Sequence, residues 1–285
     1  MALYLVDASP YIFRAYFALP ELTDPAGNPV QAVRGFLDFL VRLVKEEQPT
    51  HLAAAFDKSL TTSFRNDILP AYKAQRPLPP PELEAQLDAC AEAASAFGAA
   101  TFADPRYEAD DLIATLLAGW SDRAVVVTND KDLAQLVTDR VAWLDFAKGD
   151  RYGPAEVEAK FGVPPACIPD LLGLAGDPVD GIPGIKGVGP KSAVALLSAF
   201  GSLEAIYERI GEVDALPIRG AKSLRRKLEE GREAALLSKR LATVATDAPV
   251  GEPDLAYRGA DAARVDPLFA RLGLEGVRGR IPKWM

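Results

Sequence analysis

Three short apolar runs, Ala2–Asp7 (ALYLVD), His51–Asp57 (HLAAAFD) and Ala124–Asp130 (AVVVTND), each end in an aspartate. Such runs, with no polar alternation inside them, read as strands buried on both faces, the pattern of a parallel sheet. A long amphipathic helix over Val30–Glu47 separates the first two, its stripe made by Val33, Phe36, Leu37, Leu40, Val41 and Val44. An Ala-rich helix over Glu82–Phe97, a short strand at Ala99–Phe102 and a helix opening near Glu108 precede the third, and Val141–Phe146 reads as one more strand. Strands alternating with helices give parallel sheets with right-handed crossovers. Ligands gather at the carboxyl ends of such strands, where Asp7, Asp57 and Asp130 fall. One aspartate at a strand end is usually a turn former or a cap; three in succession fit that reading less well.

The stretch Tyr107-Glu108-Ala109-Asp110-Asp111 adds three carboxylates beside Leu112, Ile113, Leu116 and Leu117, the first turn of an amphipathic helix. The helix macrodipole favours acids there, which accounts for one or two of them. A third, next to core residues, invites repulsion that a hard divalent cation with oxygen ligands would relieve. Asp132 follows Asp130 by two positions and would point the same way in extended chain, with Lys131–Val137 then helical.

The net charge of -8 argues only weakly against a nucleic-acid partner. If Asp7, Asp57, Glu108, Asp110, Asp111, Asp130, Asp132, Asp177 and Asp180 form one cluster, removing these nine from 40 acids leaves 31 against 32 Lys and Arg. The lone His51 gives zinc and histidine chemistry almost nothing to use, and Cys90 and Cys167, without CxxC spacing, read as free thiols of a cytoplasmic protein. There is no signal peptide or membrane-length apolar run in the sequence.

Residues 58–81 interleave Lys58, Arg65, Lys73 and Arg76 with Phe64 and Tyr72 and close on Pro77-Leu78-Pro79-Pro80-Pro81, a composition suited to phosphate and base contacts or, more plainly, to a solvated loop. Arg14, about a turn past Asp7, has no simple packing account. Beyond about Asp150 helices dominate, over Pro154–Phe161, Cys167–Ala175, Lys191–Phe200, Ser202–Ile210, Ala221–Glu230 and Glu233–Ala242, with Thr246–Met285 a looser tail. The turn Gly184–Gly189 (GIKGVG) reads as a helix–hairpin–helix whose glycines let backbone N–H groups meet a phosphate, with Lys186 inside it and Lys191 just beyond.

With these motifs together, the chain resembles the structure-specific 5′ nucleases, the family of flap endonucleases and of the N-terminal nuclease domain of bacterial DNA polymerase I. The resemblance runs from Ala2 to about Thr246 through LVDAS, the FD of Asp57, SFR, YKAQR, YEADD, TNDKD, and GDPVD followed by GIPGIKGVGPKSA. It implies an α/β fold, a PIN/Rossmann-like parallel-sheet nuclease core over 1–165 with a helical arch at about 58–81, a helical helix–hairpin–helix domain over 166–246, and a tail over 247–285. It implies two Mg²⁺ or Mn²⁺ held by the nine carboxylates, charge stabilisation by Lys73, Arg14 and Arg76, and DNA contacts by Arg65, Tyr72, Gly184, Lys186, Gly187, Gly189 and Lys191. It also implies K⁺ in a cage of backbone carbonyls from Leu174, Ala175, Pro183, Ile185 and Val188, where a helix end lacking intrahelical partners meets the turn. The substrate would be DNA with 5′ flaps, nicks or free 5′ ends, and RNA-primed DNA is within reach, in replication or repair, by a monomer. Val179 and Gly181 stand where polymerase-type members often carry Ser and Asn, which puts the support of the second metal in question. A PIN-like ribonuclease shares the sheet and acidic centre but lacks arch and hairpin; a non-catalytic junction binder would have lost carboxylates.

Overall fold

The computed structural model describes residues 2–58, 61–218 and 220–285; residues 59 and 60 of the expected arch lie outside them. Six strands, β1 (Ala2–Asp7), β2 (His51–Asp57), β3 (Ala100–Asp104), β4 (Arg123–Val127), β5 (Val141–Asp145) and β6 (Asp150–Tyr152), form one sheet ordered β3-β2-β1-β4-β5-β6. All pairings are parallel except β5 with the short edge strand β6, which the sequence reading lacks. The chain runs from β1 outward to β3, then crosses to β4 on the other side of β1. That reversal opens a crevice at the carboxyl ends of β1, β2 and β4.

Alternation along β1 builds the layers. Tyr4 and Val6 face one core with α1 (Ser9–Ala18), α2 (Gln31–Glu47) and α4 (Pro81–Ala96), while Leu3 and Leu5 face another with α5 (Ala109–Ala118). Among its described residues, the expected arch segment holds one five-residue helix, α3 (Phe64–Ile68), followed by turns, before α4 begins.

A third core belongs to the helical region: α6 (Pro154–Phe161), α7 (Ile168–Ala175), α8 (Pro190–Phe200), α9 (Leu203–Glu208), α10 (Ala221–Glu230) and α11 (Arg232–Ala242). Trp143 of β5, Val137 and Tyr72 share this core, so it is continuous with the sheet edge and the arch base.

The looser tail expected after Thr246 is overturned. Residues 251–261 run back along the sheet, with Leu52 N–H donating to the Leu255 carbonyl (3.0 Å) and Tyr257 N–H to that of Thr50 (2.9 Å). Two further helices, α12 (Ala262–Leu272) and α13 (Glu275–Arg278), bury Val265, Leu268, Phe269, Leu272 and Val277 in the core under α2 and α4.

Candidate active site

A cleft of about 920 Å³ opens at the carboxyl edge of the sheet, lined by Asp7, Asp57, Glu108, Asp110 and Asp130 together with Lys58, Lys73 and Arg76. Strand ends place the first two aspartates. Asp7 accepts from Thr128 Oγ1 (2.7 Å), and the same oxygen accepts from Asp130 N–H (2.9 Å), so one buried threonine ties two strands' acids together. Ser9 Oγ donates to Asp57 (2.7 Å), which also caps the first turn of α5 through Ala109 N–H (2.9 Å). Thr128 and Ser9 were missed as positioning groups, although both stand inside the quoted motifs TNDKD and LVDAS.

Asp130 lies beyond the end of β4, and Asp132 opens a 3₁₀ turn whose N–H donates to Asp130 Oδ1 (2.8 Å). The i, i+2 extended-chain argument therefore fails here; an Asx-type turn brings the pair together instead.

The electrostatics are those of crowded like charges. Burial, with Asp57 and Asp130 nearby, pushes Asp7 well above the usual carboxylate range. Burial with Asp130 and Asp7 does the same to Asp110. Burial, with Asp180 adding to it, raises Asp130, and Asp132 is pushed up to about 7 by burial and Asp130. Glu108 goes the other way: burial opposes ionisation, but Lys73 and then Arg65 hold it below its ordinary value. Lys73 Nζ is 2.6 Å from Glu108 and 3.9 Å from Asp180, and Arg76 pairs with Asp180. Lys131 Nζ reaches Asp177 at 2.6 Å and keeps it ionised against its burial. Lys131 was not singled out in the sequence; its place between Asp130 and Asp132 was the available signal.

Among the described residues no three acidic, cysteine or histidine side chains are drawn together tightly enough to enclose one ion. The donors on offer nevertheless suit hard divalent cations: they are carboxylate oxygens, and among the described residues buried Asp132 Oδ1 has no hydrogen-bond partner.

Asp111 does not belong to this group. It is 0% exposed, and Arg65 engages both of its oxygens at 2.7 Å. Arg65 and Tyr72 are likewise removed from the expected DNA surface: both are buried, Arg65 in that ion pair and Tyr72 in the helical core with its hydroxyl on Glu108 (3.3 Å). Arg14 projects outward from α1, forms no ion pair among the described residues, and does not line the cleft.

The Val179 and Gly181 departures have a local meaning. Gly181 has φ +71°, and a Cβ there would stand 2.9 Å from the Ala71 carbonyl oxygen. The glycine lets the arch base approach the loop carrying Asp177 and Asp180. Gln75 Nε2 then donates to the Pro178 and Val179 carbonyls (3.1 and 3.0 Å), and Lys73 N–H to that of Asp180 (2.9 Å). Lys73 itself has φ +53°, unusual for a residue with a side chain.

At the hairpin, Lys186, Gly187, Gly189 and Lys191 are exposed, and α8 begins at Pro190. Gly184 is not: it is buried, and its N–H donates to Ser238 Oγ (2.9 Å), which removes it from phosphate contact. A Cβ on Gly184 would lie 2.3 Å from Gly176 N, so only glycine lets the turn close on the end of α7. Of the five carbonyls expected around K⁺, those of Leu174 and Ile185 accept from Ile185 and Val188 N–H (both 2.9 Å). Those of Ala175, Pro183 and Val188 accept no hydrogen bond among the described residues.

A parallel sheet with an acid-lined cleft at its switch point, a cationic arch base and an adjoining helix–hairpin–helix define the class: a nuclease of the 5′-3′ exonuclease fold. Residues 2–162 match the family profile described as 5′-3′ exonuclease, N-terminal resolvase-like domain, and residues 163–263 match 5′-3′ exonuclease, C-terminal SAM fold. The chain belongs to the 5′-3′ exonuclease family.

It is 37% identical over 310 residues to the 5′-3′ exonuclease of Mycobacterium tuberculosis, covering 99% of this chain and 96% of that one. It is 44% identical over 262 residues to DNA polymerase I of Pseudomonas aeruginosa (90% of this chain, 29% of the polymerase). Against DNA polymerase I of Bacillus subtilis the identity is 39% over 288 residues (98% and 32%). The chain thus spans about a third of the length of those polymerases. Its fold is similar to the T5 D15 protein co-crystallised with metal ions (TM-score 0.71, 20% identity, 85% of this chain and 89% of that chain). It is also similar to the catalytic core of Rad2 in complex with DNA substrate (TM-score 0.62, 18% identity, 98% and 90%).

Proposed function

We propose that the protein hydrolyses DNA phosphodiesters as a divalent-metal-dependent 5′-3′ exonuclease and flap endonuclease, in replication or repair. The observation that carries this reading is the convergence of carboxylates from β1, β2, α5 and the β4–β5 connection on one cleft, with Lys73 and Arg76 among them. Asp7, Asp57, Glu108, Asp110, Asp130, Asp132, Asp177 and Asp180 would hold two Mg²⁺ or Mn²⁺. Bound there, such ions activate water and neutralise charge on the scissile phosphate.

The chain's own groups do the rest. Thr128 and Ser9 fix the strand-end acids. Lys73 and Arg76 pair with Glu108 and Asp180 and would stabilise charge on a phosphate bound in the cleft. Arg14 would meet substrate at the outer lip of the cleft. Lys58, Pro77, Leu78 and Pro79 line the cleft beside Lys73, where they would favour entry of a single strand or a 5′ end.

Gly187, Gly189, Lys186 and Lys191 would grip duplex DNA by its backbone without reading sequence. K⁺ would rest on the free carbonyls of Ala175, Pro183 and Val188, with Leu174 and Ile185 lending their second lone pairs. A division into a nuclease unit to about residue 165 and a gripping unit over 166–246 belongs to the same reading, as do action as a monomer and a cytoplasmic setting. No helix among the described residues is long and apolar enough to cross a membrane.

The test is cleavage of a 5′-labelled flap, a nicked duplex, an RNA-primed duplex and a single-stranded RNA with and without Mg²⁺. Metal-dependent release of 5′ fragments from the flap and nick is expected. Cleavage of the RNA strand alone would replace this reading with a PIN-like ribonuclease, and tight flap binding without any cleavage with a junction binder.

A further inference from the structure

We propose that Arg65 and Asp111 form a positioning pair, a buried strut that registers the acidic helix against both the arch base and the hairpin, and that Asp111 binds no metal. The inference rests on the nuclease reading above for what is being positioned.

The hydrogen bonding of Asp111 is complete. Its Oδ1 accepts from Arg65 Nη2 (2.7 Å) and Ala245 N–H (2.8 Å); its Oδ2 accepts from Arg65 Nη1 (2.7 Å) and Glu108 N–H (3.0 Å). A carboxylate offers about four lone-pair sites, and all four are used. A cation could bind only by breaking a bidentate, fully buried ion pair.

The other side of Arg65 is engaged as well. Its Nε donates to the Leu241 carbonyl (2.8 Å) and Nη2 to that of Thr243 (3.1 Å), at the end of α11, where carbonyls lack intrahelical partners. Its guanidinium also lies over the Phe64 ring at 4.6 Å. One planar group thus joins α3, the first turn of α5 and the end of α11.

Both ends of the strut reach functional elements. At one end the Asp111 oxygen holds Glu108 N–H, and the Glu108 side chain holds Lys73. At the other, α11 carries Ser238, three residues before Leu241, and Ser238 holds the hairpin through Gly184 N–H. A path of hydrogen bonds joined by short stretches of chain therefore runs from hairpin to α11, to Arg65, to Asp111, to Glu108 and Lys73. Spatial continuity alone does not establish coupling, so the test measures it.

The variants are Arg65→Gln, Asp111→Asn, their double, and the apolar double Arg65→Met/Asp111→Leu, which leaves no lone buried charge. Calorimetric Mn²⁺ titration, flap affinity in metal-free buffer and single-turnover cleavage are read for each, with Asp110→Asn alongside. Expected is a loss in rate on the order of 100-fold, the scale of a misplaced reacting group, with Mn²⁺ binding and flap affinity unchanged. The polar double should be no slower than the slower single, and Arg65→Lys should recover part of the rate. Only Asp110→Asn should lose Mn²⁺. Loss of Mn²⁺ binding in Asp111→Asn but not in Arg65→Gln, or recovery of the Asp111→Asn rate alone by excess Mn²⁺, would make Asp111 a ligand and overturn the proposal. Full-rate cleavage by the apolar double would remove the positioning role. If the unaltered protein cleaves no 5′-ended DNA, the nuclease reading fails, while the Mn²⁺ titrations still decide whether Asp111 is a ligand.

Discussion

Asp110 and Asp111 are consecutive in the chain and face different surroundings. Asp110 looks into the cleft, where burial and the neighbouring Asp130 and Asp7 raise its pKa. Asp111 turns into the protein onto Arg65 and two backbone N–H groups. The cleft is held in a state of repulsion that Lys73, Arg76 and Lys131 only partly relieve, and the strut beneath it in one of full satisfaction. A fold that must accept cations needs both: a site whose charges are costly until a ligand arrives, and a frame stiff enough not to relax away from that cost.

Removing each acid in turn separates Asp110 from Asp111 most directly. Asp110→Ala should abolish metal-dependent cleavage yet raise the urea midpoint in divalent-free buffer, because one repelling charge is gone. Asp111→Ala should lower that midpoint by the equivalent of about 3–5 kcal/mol, since it leaves the Arg65 guanidinium buried without its partner. If both variants shift stability in the same direction, the contrast between the two carboxylates is wrong. Next in size, Lys73→Ala should slow single-turnover flap cleavage about 100–1,000-fold with duplex affinity little changed. A rise in dissociation constant alone would make Lys73 a docking residue.

Acid titration sharpens the same contrast. Asp7, Asp110, Asp130 and Asp132 have folded-state pKa values above their unfolded ones, that of Asp132 at about 7. The folded state therefore binds more protons than the unfolded, and stability falls as pH rises through this window. Without divalent ions the urea midpoint should climb between pH 8 and about 5. Below that, Glu108 and Asp177, whose folded pKa values are depressed, lose stabilising charge and the trend reverses. Saturating Mg²⁺ should flatten the rise; a slope that survives Mg²⁺ would mean the cluster is not where the ions bind. The smallest effect belongs to the hairpin. At fixed ionic strength, exchanging K⁺ for a bulky organic cation should weaken duplex binding a few-fold and leave single-strand binding unchanged, counterion release being held constant. Equal duplex affinities would count against K⁺ at Pro183 and Val188.

Much of this was legible in the sequence because it is local. Buried strands announce themselves by uninterrupted apolar runs, and their terminal acids by position, so Asp7 and Asp57 could be placed without a structure. Asp111 could not. Its residue type and its place in ADD match those of Asp110, and what separates the two is a guanidinium 46 positions earlier in the chain. Burial of Tyr72 and Arg65 was hidden for a related reason: aromatics interleaved with cations look the same on a DNA surface and in a core. The 3₁₀ turn at Asp132 was invisible because an Asx turn and an extended pair share one spacing. The segment after Thr246 misled through composition, since its prolines and glycines punctuate a path that only the sheet beneath it explains.

That returning segment has a consequence for how the molecule is made. Phe269, Leu272 and Val277 complete the core against helices formed from the first hundred residues, and Leu255 pairs with β2 across some two hundred positions. Long-range closure of this kind is slow and entropically demanding. On the ribosome the sheet would wait, one face unfinished, until residues near 281 had emerged. Nascent chains stalled near residue 246 should therefore expose the apolar flank of α2 and α4 and recruit chaperones, while those stalled past the last helix should not.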